Sequence, residues 1–240
     1  MTTSSEEAQP TAAPYGTPDA PRIAVRGEAR LEVDPEIARI RVTVLARGKD
    51  RRAALDDLTR RNTTVLDLVK TYGAAVERLE TGAFSITPEL KEKGRGERIN
   101  AYHGRVHITA ELTDFTALGE LTTRLADLDL TRVDGPWWSL RPNSPAHKQA
   151  RQQAVKEAVQ RAREYADALD TTLAALVELA DIGAEAPAQP FGPAAPGGPM
   201  RSARAKGAEA TDAAPLDLEP QRQRVYAQVN ARFTMRPPQL

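Results

Sequence analysis

Cysteine is absent from all 240 residues. Disulfides, zinc–thiolate centres and thiol nucleophiles are thereby excluded. Aromatic residues are scarce, at 5% against a hydrophobic total of 40%, so any core is aliphatic and rich in alanine. Neither sign of charge dominates: Lys+Arg and Asp+Glu each number 33. A nucleic-acid-binding domain normally carries a basic surplus, and no nucleic-acid partner is expected. No stretch approaches the roughly 20 consecutive apolar residues of a membrane-crossing helix, so no membrane span is expected. The opening M-T-T-S-S-E-E-A-Q-P lacks the basic start and apolar run of a secretory leader. That points to a cytoplasmic protein. Also missing are a phosphate-loop pattern, a dinucleotide fingerprint, a serine-nucleophile motif and a paired-carboxylate pattern. No catalytic residue, cofactor or metal is therefore assigned, and the chain reads as a non-enzyme more readily than as an enzyme.

What is present is a succession of amphipathic segments. From Ile23 to Val33, apolar or small residues alternate with Arg26, Glu28, Arg30 and Glu32. From Ala38 to Val44 they alternate with Arg39, Arg41 and Thr43. Strand side chains alternate between faces, so each run has one greasy and one wet side. Asp34-Pro35 supplies a turn, and the two runs are expected to pair as an antiparallel hairpin. Asp50 then serves as a helix N-cap, and Ala54, Leu58, Val65, Val69 and Tyr72 recur at helical spacing, with Leu55 and Leu66 widening the stripe. Gly73 suits the helix end. Val76–Thr87 reads as a strand whose apolar parity switches between Thr81 and Phe84, which predicts a bulge near Gly82, with Pro88 ending the strand. Lys91–Arg98 reads as a solvated tip. Ile99–Leu112 is a long strand with Tyr102, Val106, Ile108, Ala110 and Leu112 on one side.

Asp114 caps a second helix that turns Phe115, Leu118, Leu121, Thr122 and Leu125 inward. Thr131–Leu140 is a strand interrupted by Gly135-Pro136, which suits a sheet edge or a bulge. Ser144-Pro145 opens a third helix in which Ala150, Ala154, Ala158, Ala162 and Ala166 recur every fourth residue. Each such step advances about 400°, so the alanine line is expected to wrap around the helix and to let it lie close on a sheet. Leu173–Ala180 reads either as a continuation of the helix or as a short buried strand, with Thr171-Thr172 favouring the strand, and Val225–Phe233 alternates cleanly as the last one. Residues 1–20 are expected to form a disordered tail. Residues 21–236 are expected to form a single α+β domain, an antiparallel sheet with three helices packed against it. A flexible Gly/Pro/Ala-rich insertion at 183–220 holds seven of the 18 prolines, and 237–240 forms a C-terminal tail.

These elements, in their order, resemble the SIMPL-domain family. The resemblance is carried by V-R-G-E-A-R-L-E-V-D-P-E-I-A (Val25–Ala38), T-G-A-F-S-I-T-P (Thr81–Pro88), the strand led by Tyr102, the alanine run followed by Tyr165-Ala166, and the late V-Y-A-Q-V-N-A-R-F. It covers roughly Pro21–Met235. The resemblance implies an α+β fold and no agreed catalytic residues. Family members include periplasmic and immunogenic proteins, a protein linked to oxidative-stress defence and a kinase-associated signalling protein; some assemble into rings or channel-like oligomers. Where the family has a glycine-containing turn after the alanine helix, this chain reads Asp170-Thr171-Thr172.

Candidate sites are few. His103 and His107 mimic a metal pair, but four strand residues span about 13 Å, so they read as part of a polar face. His147, near a helix start, reads as a capping or surface residue. Arg39, Arg41, Arg105 and Arg232 are expected to line an outer sheet face, interleaved with Glu28, Glu32 and Glu111. Trp137-Trp138 is the most informative pair: on a strand one ring faces the core and its neighbour faces away. Both are then covered within the monomer, or one lies in a subunit or partner contact, where tryptophan is enriched. The leading expectation is a non-enzymatic homo-oligomer acting through protein contacts or in a stress response. The alternative is a small-ligand-binding module or enzyme with a cleft under the 183–220 insertion.

Overall fold

A computed structural model describes residues 16–90, 99–181 and 214–239. The expected tip at Lys91–Arg98, the first fifteen residues and most of the 183–220 insertion lie outside the described residues. The elements are β1 (Arg22–Val33), β2 (Ile37–Gly48), α1 (Arg51–Lys70), a 3-10 turn (Gly73–Ala75), β3 (Val76–Leu90), β4 (Ile99–Leu112), α2 (Phe115–Ala126), β5 (Thr131–Ser139), α3 (Pro145–Asp167), β6 (Leu173–Asp181) and β7 (Gln223–Met235). The class is α+β, with two antiparallel sheets in place of the one expected. One sheet runs β1-β7-β6 and the other β3-β4-β2-β5. The chain falls into two compact units, one holding each sheet.

In the unit of the four-stranded sheet, β2 lies between β4 and β5 and is buried along one face. Ala38, Ile40, Val42, Val44 and Ala46 point inward, opposite Leu112, Ala110, Ile108, Val106 and Gly104 of β4. Alternation at period two dictates this, since one face must leave water. Helix α1 covers the sheet with Leu58, Val65 and Val69, and α2 adds Leu118, Leu121 and Leu125. Both helices start where the sequence places them. Asp50 accepts from the Ala53 N–H at 2.8 Å, and Asp114 accepts from Thr116 and Ala117 N–H at 2.9 and 3.1 Å. A cap of this kind contributes about 1 kcal/mol. Gly73 has a φ of +50°. The parity switch of β3 is a register shift between Thr81 and Phe84, as expected near Gly82. Pro88 does not end β3: it pairs with Tyr102 and the strand runs on to Leu90. β3 is an outer strand, the place in a sheet where a proline is tolerated.

The three-stranded sheet is covered by α3. Val25 and Ala29 of β1 and Val229, Ala231 and Phe233 of β7 pack with Ala154, Ala158 and Ala162. Ser144 caps α3 and Pro145 occupies its first turn. The alanine line departs from expectation. Ala146 to Ala166, six alanines at four-residue spacing, are all buried. The line slants by about 26° to the helix axis, as any four-residue row does, yet it stays covered along its whole length. At Gly27 a Cβ would lie 2.0 Å from the Ala154 carbonyl oxygen and 2.6 Å from the Ala158 nitrogen. The strand therefore touches the helix backbone through a gap between two alanines. Just past the end of α3 the chain turns at Asp170, with φ +51°, where the Thr171 N–H closes onto the Ala166 carbonyl at 3.0 Å. An aspartate thus takes the left-handed position that a glycine fills most easily.

The expected β1–β2 hairpin does not form. β1 pairs with β7, and β2 with β4 and β5. After the Asp34-Pro35 turn, the Glu36 N–H donates to the Ser139 carbonyl at 3.0 Å, and the Glu36 carboxylate accepts from the Arg141 N–H at 3.0 Å. The residues that would have closed a hairpin are committed to the end of β5. Alternation fixes which face is buried, not which strand is the neighbour.

The contact at Gly27 yields a test. Gly27→Ala has no room without moving helix backbone, and overpacking of that kind costs about 3 kcal/mol or more. Urea unfolding followed by far-UV dichroism should show at least that loss, whereas Ala24→Gly on the exposed face of β1 should lose no more than about 1 kcal/mol.

Candidate functional site

Trp137 and Trp138 lie on β5, an outer strand of the four-stranded sheet. The ladder with β2 slips between Arg39 and Arg41, the register running Arg39↔Trp137 and then Arg41↔Asp134. Gly135-Pro136 fills that slip, so the proline sits at both an edge and a bulge. Past it the two rings take opposite faces. Trp138 packs on the core and meets Phe115 edge-on, with centroids 4.8 Å apart and planes at 79°. Trp137 turns outward and stays 47% exposed. The Arg41 guanidinium lies 5.6 Å over its ring, a contact worth about 0.5–1 kcal/mol at an exposed site. Around it, Arg39 binds Glu111 at 2.6 Å and Arg132 binds Asp134 at 2.7 Å. A half-exposed indole inside a rim of satisfied ion pairs matches the pattern of a contact hot spot.

The expected arginine line is divided. Arg39, Arg41 and Arg105 belong to the four-stranded sheet, but Arg232 lies on β7 and pairs with Glu178 of β6. Glu28 and Glu32 are also in the three-stranded sheet, bonded to Gln228 at 2.9 Å and Arg224 at 3.1 Å. Only Glu111 interleaves with the arginines as expected. The two strand histidines have separate partners: His103 Nε2 meets Glu89 at 2.6 Å, and His107 Nδ1 meets the Thr43 hydroxyl at 3.0 Å. His147 is half-buried in the first turn of α3, which Ser144 caps. No cluster of three metal-ligating side chains occurs among the described residues.

The feature that sequence reasoning missed is β6. Its run L-A-A-L-V-E-L-A reads as a buried strand, yet β6 is the outer strand of its sheet. Leu176, Val177 and Leu179 are 54%, 44% and 47% exposed. Leu176 pairs with Phe233 and Leu179 with Ala231, which puts both leucines on the side that carries α3. Between α3 and β6 runs an open groove of about 430 Å³, lined by Val159, Ala166, Leu173, Leu176 and Phe233, with Arg163 and Asp167 at its rim. The end of the expected insertion is also anchored. The Leu216 N–H donates to Thr123 Oγ1 at 2.9 Å, Leu218 packs on the α1/α2 core, and a Cβ on Gly119 would lie 2.4 Å from the Leu216 carbonyl. Any cleft under residues 182–213 falls outside the described residues.

A second cavity, of about 300 Å³, lies beside Arg60, Arg61, Thr64, Leu128 and Asp129. Burial works to raise the Asp57 carboxyl nearby. Hydrogen bonds and charge from Arg61 and Arg60 outweigh it and hold the group below its ordinary value. Glu89 is also held low, by hydrogen bonds from His103 and then Asn100. Both arrangements tie neighbouring side chains together.

The family model SIMPL, described as a protein of unknown function (DUF541), matches residues 23–233. Two relatives, each named 26 kDa periplasmic immunogenic protein, come from Brucella melitensis and Brucella abortus. Each is 27% identical over 168 residues, covering 67% of this chain and 66% of the relative. The match thus spans just under two thirds of these curated relatives.

The two tryptophans should separate by measurement. Trp138→Ala removes a ring packed on the core and should lower stability by about 2–4 kcal/mol. Trp137→Ala should cost less than about 1 kcal/mol, both read from urea midpoints. The Asp57 carboxyl contributes stability that is complete above its unfolded value of about 3.9. That contribution is lost as pH falls through the lower folded value. Asp57→Asn should therefore flatten the acid limb of a stability–pH curve in that window and leave its alkaline limb unchanged.

Proposed function

The chain belongs to the SIMPL family, and we propose that it works through protein contacts, without covalent chemistry, as a homo-oligomer whose outward Trp137 receives a protein partner. The observation that carries this reading is the Trp137 patch: a large apolar ring kept half in water, stacked by Arg41 and rimmed by ion pairs, on a sheet edge already closed by a bulge. A ring in that setting contributes little to its own fold and much to a partner that excludes water from it. The exposed leucines of β6 supply a second contact surface. Protection against oxidants, where the protein provides it, is exerted through the partner so recruited. The names of the Brucella relatives favour a periplasmic location over the cytoplasmic one suggested by the N-terminal composition. Cell fractionation with a compartment marker decides between the two.

A small-ligand role is the second reading, and the groove of about 430 Å³ between α3 and β6 favours it. A thermal-shift screen of metabolites tests it, since a ligand bound only by the folded state raises apparent stability.

Light scattering across a dilution series tests the leading reading. The expected outcome is a mass above the 26.1 kDa of one chain that falls on dilution; a constant single-chain mass at every concentration overturns the oligomer. Affinity capture from native cells should retain a partner that Trp137→Ala loses. Equal retention by both overturns the role given to the indole.

A further inference from the structure

Among the described residues four strands lie at sheet edges, and three of them carry a proline or outward charge that discourages a further strand. β5 has the Gly135-Pro136 bulge. β3 has Pro88 and register shifts on both sides of it. β1 sends Arg26, Arg30 and Glu32 to its exposed side, and its Glu28 N–H is taken by Glu157 of α3 at 3.1 Å. Proline, bulges and outward charge are the usual guards of an edge. β6 shares with β3 and β5 the device of register shifts, having two against β7, but it lacks the others: its nine residues include no proline and no cation. Of its two acids, Glu178 is engaged by Arg232 within the sheet, and Asp181 is the final residue. An outer strand presents one row of backbone N–H and C=O groups away from its neighbour, and here leucine and valine accompany that row.

We propose that β6 is the self-association edge. Two copies pair β6 with β6 antiparallel about a twofold axis, joining two three-stranded sheets into one of six strands. This rests on the protein-contact reading above and names its surface. The strand is self-complementary in one register. With the axis between Val177 and Glu178, Leu176 of one copy stands opposite Leu179 of the other, and the same pair recurs across the axis. Ala175 then faces Ala180. The pairings with β7 put Leu176 and Leu179 on the face of Phe233 and Ala231, and Ala175 and Ala180 on the face of Thr234 and Asn230. Every cross-axis pair just named therefore joins side chains of one face, as an antiparallel ladder requires. An isologous contact of this kind closes at two copies. The groove walls, Val159 and Phe233, then flank a joint that the second copy fills.

The chain has no cysteine of its own, so introduced thiols report this register cleanly. The double variant Leu176→Cys/Leu179→Cys should oxidise to a covalent dimer of twice the mass on a non-reducing gel. Leu176→Cys and Leu179→Cys alone should not, because each residue stands several positions away from its own counterpart. Leu176→Lys/Leu179→Lys should give a single-chain mass by light scattering while keeping the wild-type dichroism spectrum, with a midpoint that no longer rises with protein concentration. A double-cysteine variant that cross-links no better than the single ones, in a wild-type protein that still oligomerises, overturns the β6 pairing and leaves the protein-contact reading standing. Cross-linking of Leu176→Cys mixed with Phe84→Cys, in place of the double variant, shows head-to-tail pairing with β3 and also overturns it. A wild-type chain that stays monomeric removes both.

Discussion

The approach of Gly27 to the backbone of α3 constrains the unit that contains it. Nothing but hydrogen fits between that strand and the Ala154 carbonyl, so the helix lies nearly in contact with the sheet. Only a row of small side chains permits this, and the buried alanines from Ala146 to Ala166 are that row. The arrangement has an energetic cost. Alanine buries little apolar area, at about 25 cal/mol per Å², so the larger share of that core comes from Val25, Val229 and Phe233 on the strands. The helix seated so low reaches β6 at Leu173 and leaves Leu176, Val177 and Leu179 exposed farther along the strand.

Much of the fold was legible because its causes are local. The N-caps Asp50 and Asp114 each sit one residue before a periodic run, and both accept the bonds expected of them; Pro145 takes the first turn of α3, as its position predicts. The parity switch at Gly82 betrayed a bulge because a strand cannot change faces without an extra residue. Pairing was not legible. The alternation of Ile23–Val33 is equally compatible with a hairpin partner and with β7, and only the bonds of Glu36 to Ser139 and Arg141 exclude the former. Arg232 was grouped with Arg39 for the same reason: equal patterns do not imply one sheet.

At the site, the opposed faces of Trp137 and Trp138 followed from adjacency on a strand. The Arg41 stack did not, because it depends on the slip between Arg39 and Arg41. β6 was missed for a different reason. A continuous apolar run is consistent with a strand buried on both faces; here the run marks an edge, and composition cannot tell a strand covered by its own chain from one left exposed. The seat of Leu216 against Gly119 and Thr123 was equally hidden, since the residues around it read as linker.

The strand order β1-β7-β6 places the last strand of the chain between the first and the last but one. As the polypeptide emerges from the ribosome, β1 appears early and stays without its neighbour until β7 is made, after every helix and every other strand. The sheet of β2 to β5, by contrast, is drawn from one continuous stretch and is complete long before. Vectorial synthesis therefore imposes a sequence on folding: one half of the molecule forms while the other waits, with β6 exposed and its inner neighbour not yet translated.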